Sequence, residues 1–204
     1  MTSPGPAADE DRRPTRRRPG AGPTALTCLG PAARPAFDAV TSASVVVVAD
    51  DGRLLLADLA RGLDLPGGHV QWRDTCAEDA ARRETLEEVS AELGDLTVAE
   101  VIESDYFGAD DPTYMVIFAA RVRRLLPWAG GHESAGRVLL SPADFLDAYR
   151  GTRPELMRHL VAAALAVLPP GAGPRRAGPH GAPPRRPKSD IGAHDPAEGD
   201  TVTL

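Results

Sequence analysis

Leu65-Pro66-Gly67-Gly68-His69-Val70-Gln71-Trp72-Arg73-Asp74, followed after a short gap by Ala80-Ala81-Arg82-Arg83-Glu84-Thr85-Leu86-Glu87-Glu88, decides both the fold and the chemistry of this chain. The second part reads as a helix from about Cys76 to Leu93, stopped near Gly94. At roughly 100° per residue, Glu84 and Glu88 project about 40° apart and Glu87 about 60° to the other side. The three carboxylates therefore share one face, and Leu86, Val89 and Leu93 fall opposite, where they are expected to pack on a sheet. Ala80 and Ala81 lie on the acidic side, small enough to admit the preceding loop. Carboxylates this close repel one another, and their pKa values rise unless a cation sits among them. Mg²⁺ takes such hard oxygen ligands, binds phosphate oxygens and acidifies a water. Taken alone, the helix reads as an ordinary solvated acidic face. The Pro66-Gly67-Gly68 turn ahead of it shifts that reading, because paired glycines let the backbone turn tightly and bring a carbonyl up to the helix.

Upstream, Ser44-Val45-Val46-Val47-Val48 is an uninterrupted apolar run suited to a strand buried on both faces. Asp50-Asp51-Gly52-Arg53 supplies a hairpin turn and Leu54-Leu55-Leu56 the returning strand. Downstream, Val98 to Tyr106 and Tyr114 to Val122 read as two more strands joined through Gly108-Ala109-Asp110-Asp111-Pro112, and Arg137 to Leu140 as another. Ser141-Pro142 opens a short helix with a Ser cap and Pro at the first helical position. Pro154 opens the last helix, apolar from Leu156 to Leu168. Strands with a helix inserted among them and helices after them predict a layered α/β or α+β domain.

Loop, spacing and helix together resemble the box of the Nudix hydrolase family: Gly, five residues, Glu, seven residues, Arg-Glu, an aliphatic, any residue, Glu-Glu, any residue, Gly, an aliphatic. The match spans residues 68–91, anchored on Gly68, Arg83-Glu84 and Glu87-Glu88, and the wider resemblance covers about 41–168. Asp74 stands where the family has Glu, eight residues rather than seven separate it from Arg83, Thr85 replaces the aliphatic, and Ser90 replaces the Gly. Asp74 is one methylene short, and the inserted residue either restores or spoils its reach.

The resemblance implies an α/β/α sandwich with a mixed β-sheet, and a metal-dependent hydrolase of a phosphoanhydride bond in a nucleoside diphosphate linked to another moiety. Glu84, Glu87 and Glu88 would hold Mg²⁺ or Mn²⁺, with the Gly68 carbonyl as a further ligand, and Arg83 would orient the carboxylates. Family members place a further acid outside the box; Glu133, in His132-Glu133-Ser134, is the candidate here, set against a plain surface loop. The altered box leaves room for a catalytically impaired nucleotide-binding or ligand-sensing relative. Trp72, Tyr106, Phe107 and Trp128 are available to stack on a base, although lone aromatics more often pack. The substrate's base and sugar, and the oligomeric state, are not written in these motifs.

Pro and Gly, 20 of each, crowd the two ends of the 204-residue chain. Residues 1–40 are therefore expected to be a disordered Pro/Arg-rich tail, 41–168 the Nudix domain, and 169–204 a second disordered tail rich in Pro, Gly and Arg. The tails read as solubilising linkers, or as basic arms for an acidic partner. The net charge is −6, yet both tails are slightly basic, so the body carries more negative charge than the whole. Such a body is a poor partner for nucleic acid, and no specific nucleic-acid role is expected; it can take a polyphosphate once metal reverses the local sign. No apolar stretch is long enough for a membrane span or for a signal-peptide core after the N-terminal arginines. Cys28 and Cys76 supply neither a disulfide framework nor a zinc set, and Cys76 near a helix start, with no obvious His partner, reads as structural or exposed rather than as a nucleophile. The expected location is the cytoplasm.

Overall fold

The computed structural model describes residues 24–128, 130 and 133–169. The stretches 1–23 and 170–204, which hold most of both expected tails, and His132 lie outside the described residues.

The valine run lies at the centre. Strand β2 (Val40–Val48) pairs in parallel with β8 (Thr113–Leu125), from Val40↔Tyr114 to Val48↔Arg121. Val45 to Val48 are all buried, as a strand covered on both faces requires. Its other edge changes partner midway. Ser42, Ala43 and Ser44 pair with β5 (Gly67–His69), whereas Val47 and Val48 pair with β3 (Leu54–Leu59), both antiparallel. That change of partner sends the Gly-Gly loop across the sheet end and fixes where the site is built. Strand β7 (Thr97–Ser104) runs antiparallel to β8, and β1 (Leu26–Cys28) extends the sheet beyond β7. On the far side β3 carries β4 (Gly62–Asp64) and β9 (Ser134–Leu140), and β6 (Ala91–Leu93) pairs with the distal half of β8. The main path is β1-β7-β8-β2-β3-β4.

Helix α1 (Ala77–Val89) covers one face, and α2 (Pro142–Ala148) with α3 (Pro154–Val167) covers the other. Val45, Val47, Leu55 and Phe118 pack toward α1; Val46, Val48, Leu54 and Ile117 pack with Phe145, Met157 and Leu160 of the opposite layer. This is the mixed-sheet α/β/α sandwich that the resemblance implies. Ser141 caps α2 as its sequence predicts, accepting from the Asp144 amide at 3.1 Å.

Three expectations are corrected. Residues 24–40, assigned to a tail, include β1 and a 3-10 turn at Phe37–Ala39. Three residues are too few to show a period; hydrogen bonding along β7 holds them, with Leu26 opposite Ser104. The helix ends at Val89, because Ser90 adopts the left-handed conformation (φ 48°) that the family's glycine would take without strain. Gly94 instead follows β6, its carbonyl and that of Leu93 accepting from the Arg82 guanidinium at 3.0 and 3.1 Å. Finally, Leu86 is 47% exposed rather than packed. The buried face of α1 consists of Ala77, Ala80, Ala81, Thr85, Glu88 and Val89. Small side chains let the helix approach the sheet closely, which a leucine at that distance would prevent.

Candidate active site

Two glycines fix the relation of loop to helix. A Cβ on Gly67 would lie 2.5 Å from the Ser44 Cα and 2.6 Å from the Ala43 carbonyl oxygen, so β5 can lie this close to β2 only with glycine there. A Cβ on Gly68 would lie 2.5 Å from the Glu84 carboxylate, so Glu84 occupies the space that a side chain would take. The Gly67 amide donates to the Glu88 carboxylate at 2.9 Å, clamping the loop to α1 at a second point.

Asp74 and Arg83 lock the other end of the loop. Arg83 donates through Nε and Nη2 to the Asp74 carboxylate at 3.2 and 2.9 Å, a two-point bond between nearly buried side chains. Asp74 also accepts from the Gln71 amide at 2.7 Å. Hydrogen bonding to Arg83 holds the Asp74 carboxyl below the usual range, and its partners push the Arg83 pKa above its ordinary value. Asp74 thus reaches Arg83 although it is one methylene shorter than Glu. Arg83 then spends its remaining donors on Glu84 (2.6 Å), Glu87 (3.2 Å) and the His69 carbonyl (3.0 Å). Arg73, more exposed, approaches Glu87 at 3.5 Å. Thr85, standing for the aliphatic, is fully buried and returns its hydroxyl to the Ala81 carbonyl at 2.8 Å, so no polar group is stranded.

Glu133 reaches the same place from just ahead of β9. Its position follows from Arg137, which sequence reading passed over: the guanidinium donates to the carbonyls of Val89 and Ser90 at 2.9 and 3.0 Å, and to that of Leu126 at 2.9 Å. A cation on the last carbonyls of α1 satisfies the helix end and ties β9 to it. A basic residue on a strand carries no local signal for that role.

A cleft of about 470 Å³ results, lined by Gly67, Gly68, His69, Gln71, Glu84, Glu87, Glu88 and Glu133. Five of the six residues expected at the site line it: Gly68, Glu84, Glu87, Glu88 and Glu133. Arg83 braces the carboxylates instead of lining the cleft; His69 and Gln71 are additions. Burial, reinforced by Glu84 and Glu133, raises the Glu88 pKa, although the Gly67 amide works against it. The donor set is thus four carboxylates around one opening. Arg83 engages Glu84 and Glu87, and Glu88 sits at 4% exposure. That chemistry fits a hard divalent cation with oxygen ligands.

The remaining candidates fall elsewhere. Cys76 is the N-cap residue of α1; burial pushes its thiol up, away from the reactive thiolate range. Tyr106 and Phe107 pack edge to face on each other, ring centres 4.9 Å apart, in the β7–β8 loop. Trp72, next to Gln71 of the cleft, is 90% exposed.

A sequence search among curated proteins finds no match. Among solved structures, the Nudix domain of Shewanella oneidensis NrtR in complex with ADP ribose aligns at 13% identity, covering 62% of this chain and 88% of that one, with a TM-score of 0.51. A Nudix hydrolase from Nitrosomonas europaea aligns at 18% identity over 62% of this chain and 89% of that one (TM-score 0.50). A point mutant of the Bacillus subtilis pyrophosphohydrolase BsRppH is 27% identical over 56% of this chain and 70% of that one (TM-score 0.49). At such identities the first two comparisons speak for the fold. Residues 39–160 match the NUDIX domain, a span that contains both the glycine loop and the acidic helix just described, and the chain belongs to the Nudix hydrolase family.

Proposed function

We propose that this protein is a metal-dependent pyrophosphohydrolase that cleaves a phosphoanhydride bond in a nucleoside diphosphate linked to another moiety. The observation that carries the proposal is the meeting of Glu84, Glu87, Glu88 and Glu133 with the Gly67-Gly68 loop at one cleft. Glu84, Glu87 and Glu88 would hold Mg²⁺ or Mn²⁺, with Gly68 offering its carbonyl. A divalent cation bound there would polarise phosphate oxygens and acidify the attacking water.

The protein's own groups do the rest. Arg83 holds two carboxylates in place through one guanidinium, and Asp74 holds Arg83, so the ligand geometry is set before substrate arrives. Glu133 comes from a separate element and stands outside that brace, which suits a base that takes a proton from water. His69 and Gln71 line the side of the cleft formed by the loop, where the linked moiety would lie. The cleft's acidity favours a substrate that arrives with metal over a bare polyanion.

The ADP-ribose complex of the Shewanella relative supports a nucleotide-type ligand, since that protein shares the fold. No described helix is long and apolar enough to cross a membrane. Two free cysteines accord with action in the cytoplasm. The test is a product screen on the full chain with nucleoside diphosphate sugars, dinucleoside polyphosphates and nucleoside triphosphates. Each is assayed with Mg²⁺, with Mn²⁺ and with EDTA. Cleavage of a linked nucleoside diphosphate that disappears with EDTA is expected. Absence of metal-dependent cleavage across the panel would refute the proposal.

A further inference from the structure

Away from the cleft, on the α3 side of the sheet, three side chains that commonly bind metal converge from three elements: Cys28 on β1, Glu100 on β7 and His159 on α3. Their ligand atoms all lie within 4.8 Å of one another. Glu100 is the unusual member, a carboxylate at 3% exposure between the buried Ala99 and Val101. One of its oxygens accepts from the Gly30 and Val101 amides; the other meets His159 Nε2 at 2.6 Å. The two amides and the imidazole hold this carboxylate in one orientation, beside the Cys28 thiol. Cys28 and His159 are each accessible to solvent, His159 at 49% for its side chain, so the cluster opens outward.

We propose that Cys28, Glu100 and His159 form a second metal site, one that takes Zn²⁺ with solvent in the fourth position. Sulfur, imidazole and carboxylate are the borderline-soft mixture that zinc prefers over magnesium, and three protein ligands with one open place is a common zinc arrangement. Tetrahedral zinc with bonds of about 2.0–2.3 Å separates its ligand atoms by about 3.3–3.8 Å. The Glu100–His159 contact at 2.6 Å must therefore open, and the widest gap must close, each by about an ångström. The accessible Cys28 and His159 side chains can make those movements, while two backbone amides fix Glu100. Binding releases the thiol proton, and the thiolate and carboxylate then neutralise the divalent charge. The ion clips the short strand β1 to α3 across the edge of the sheet. A cysteine count misses such a site, because two of its three ligands are not cysteine.

The test is titration of the full-length protein with Co²⁺ as a coloured substitute for Zn²⁺. A thiolate-to-cobalt charge-transfer band saturating at one equivalent and erased by Zn²⁺ is expected. Cys28→Ser should abolish the band without changing hydrolysis in Mg²⁺, and His159→Gln should weaken binding by about tenfold or more. Zn²⁺ should raise the melting temperature of the wild type but not of Cys28→Ser. Thiol labelling of the unmutated chain gives an independent reading: Zn²⁺ should protect Cys28 and leave Cys76 reactive. No charge-transfer band at stoichiometric metal, a band that survives Cys28→Ser, or protection of Cys76 instead would each overturn the proposal.

Discussion

Replacing Asp74 by Asn probes the strut on which the carboxylate geometry rests. The Asp74 side chain is 3% exposed and that of Arg83 12%, so solvent screens their bond weakly. All three hydrogen bonds to Asp74 come from donors: Arg83 Nε on one oxygen, Arg83 Nη2 and the Gln71 amide on the other. An Asn amide has one acceptor, so its NH₂ must face at least one of those donors. Losing the charge assistance and leaving a donor opposed should cost about 2–4 kcal/mol, less than a lone buried pair because Arg83 keeps Glu84, Glu87 and His69. A freed Arg83 also lets Glu84 and Glu87 shift, and turnover should fall by about tenfold. The assay is urea denaturation from pH 7 downward. Arg83 depresses the Asp74 pKa in the folded state, so its stabilisation is present above the ordinary Asp value near 4. It is lost as pH falls through the depressed folded value, so the gap between wild type and Asn should close in strong acid. Asp74→Glu should also destabilise, by about 1–3 kcal/mol, because Asp74 already meets Arg83 at two points and a longer side chain must be fitted at a position only 3% exposed. An Asn variant within about 0.5 kcal/mol of wild type at pH 7, or a gap that does not change with pH, would refute the strut.

The glycine loop offers a paired prediction. Gly67→Ala drives a Cβ into the β2 backbone and should destabilise by about 3 kcal/mol or more, seen as a large fall in melting temperature. Gly68→Ala meets only the end of the flexible Glu84 side chain, so it should leave stability nearly intact while displacing that carboxylate and lowering turnover. At the end of α1, Ser90→Val forces a β-branched residue to φ 48° and should cost about 2 kcal/mol, whereas Ser90→Gly should lie within about 1 kcal/mol of wild type by thermal unfolding.

Much of this architecture is legible in the chain. The box placed Glu84, Glu87 and Glu88 beside Gly68 because helix periodicity and a glycine pair are local properties. The valine run marked the central strand because burial on both faces leaves no polar alternation. What escaped was set by partners distant in sequence. β1 is held by β7, some seventy residues away, and its three residues carry no pattern of their own. The rotation that exposes Leu86 and buries Ala80 and Ala81 depends on how closely α1 meets the sheet, which a helical projection does not contain. A glycine, Gly94, marks the expected end of α1 in the sequence, whereas Ser90 takes the left-handed turn and Arg137 satisfies the carbonyls from β9. Glu100 carries no local mark of its own; His159 and Cys28, which give it meaning, arrive from α3 and β1.

The central claim is that the acidic face of α1 carries a metal-dependent hydrolysis. Its most direct test compares the turnover of Glu87→Gln and Glu88→Gln with wild type, on whichever linked nucleoside diphosphate the full chain cleaves in Mg²⁺. Each change removes one ligand charge and nearly preserves shape. The account predicts turnover lower by orders of magnitude in both variants, with melting temperatures close to wild type. Full activity in both would contradict it.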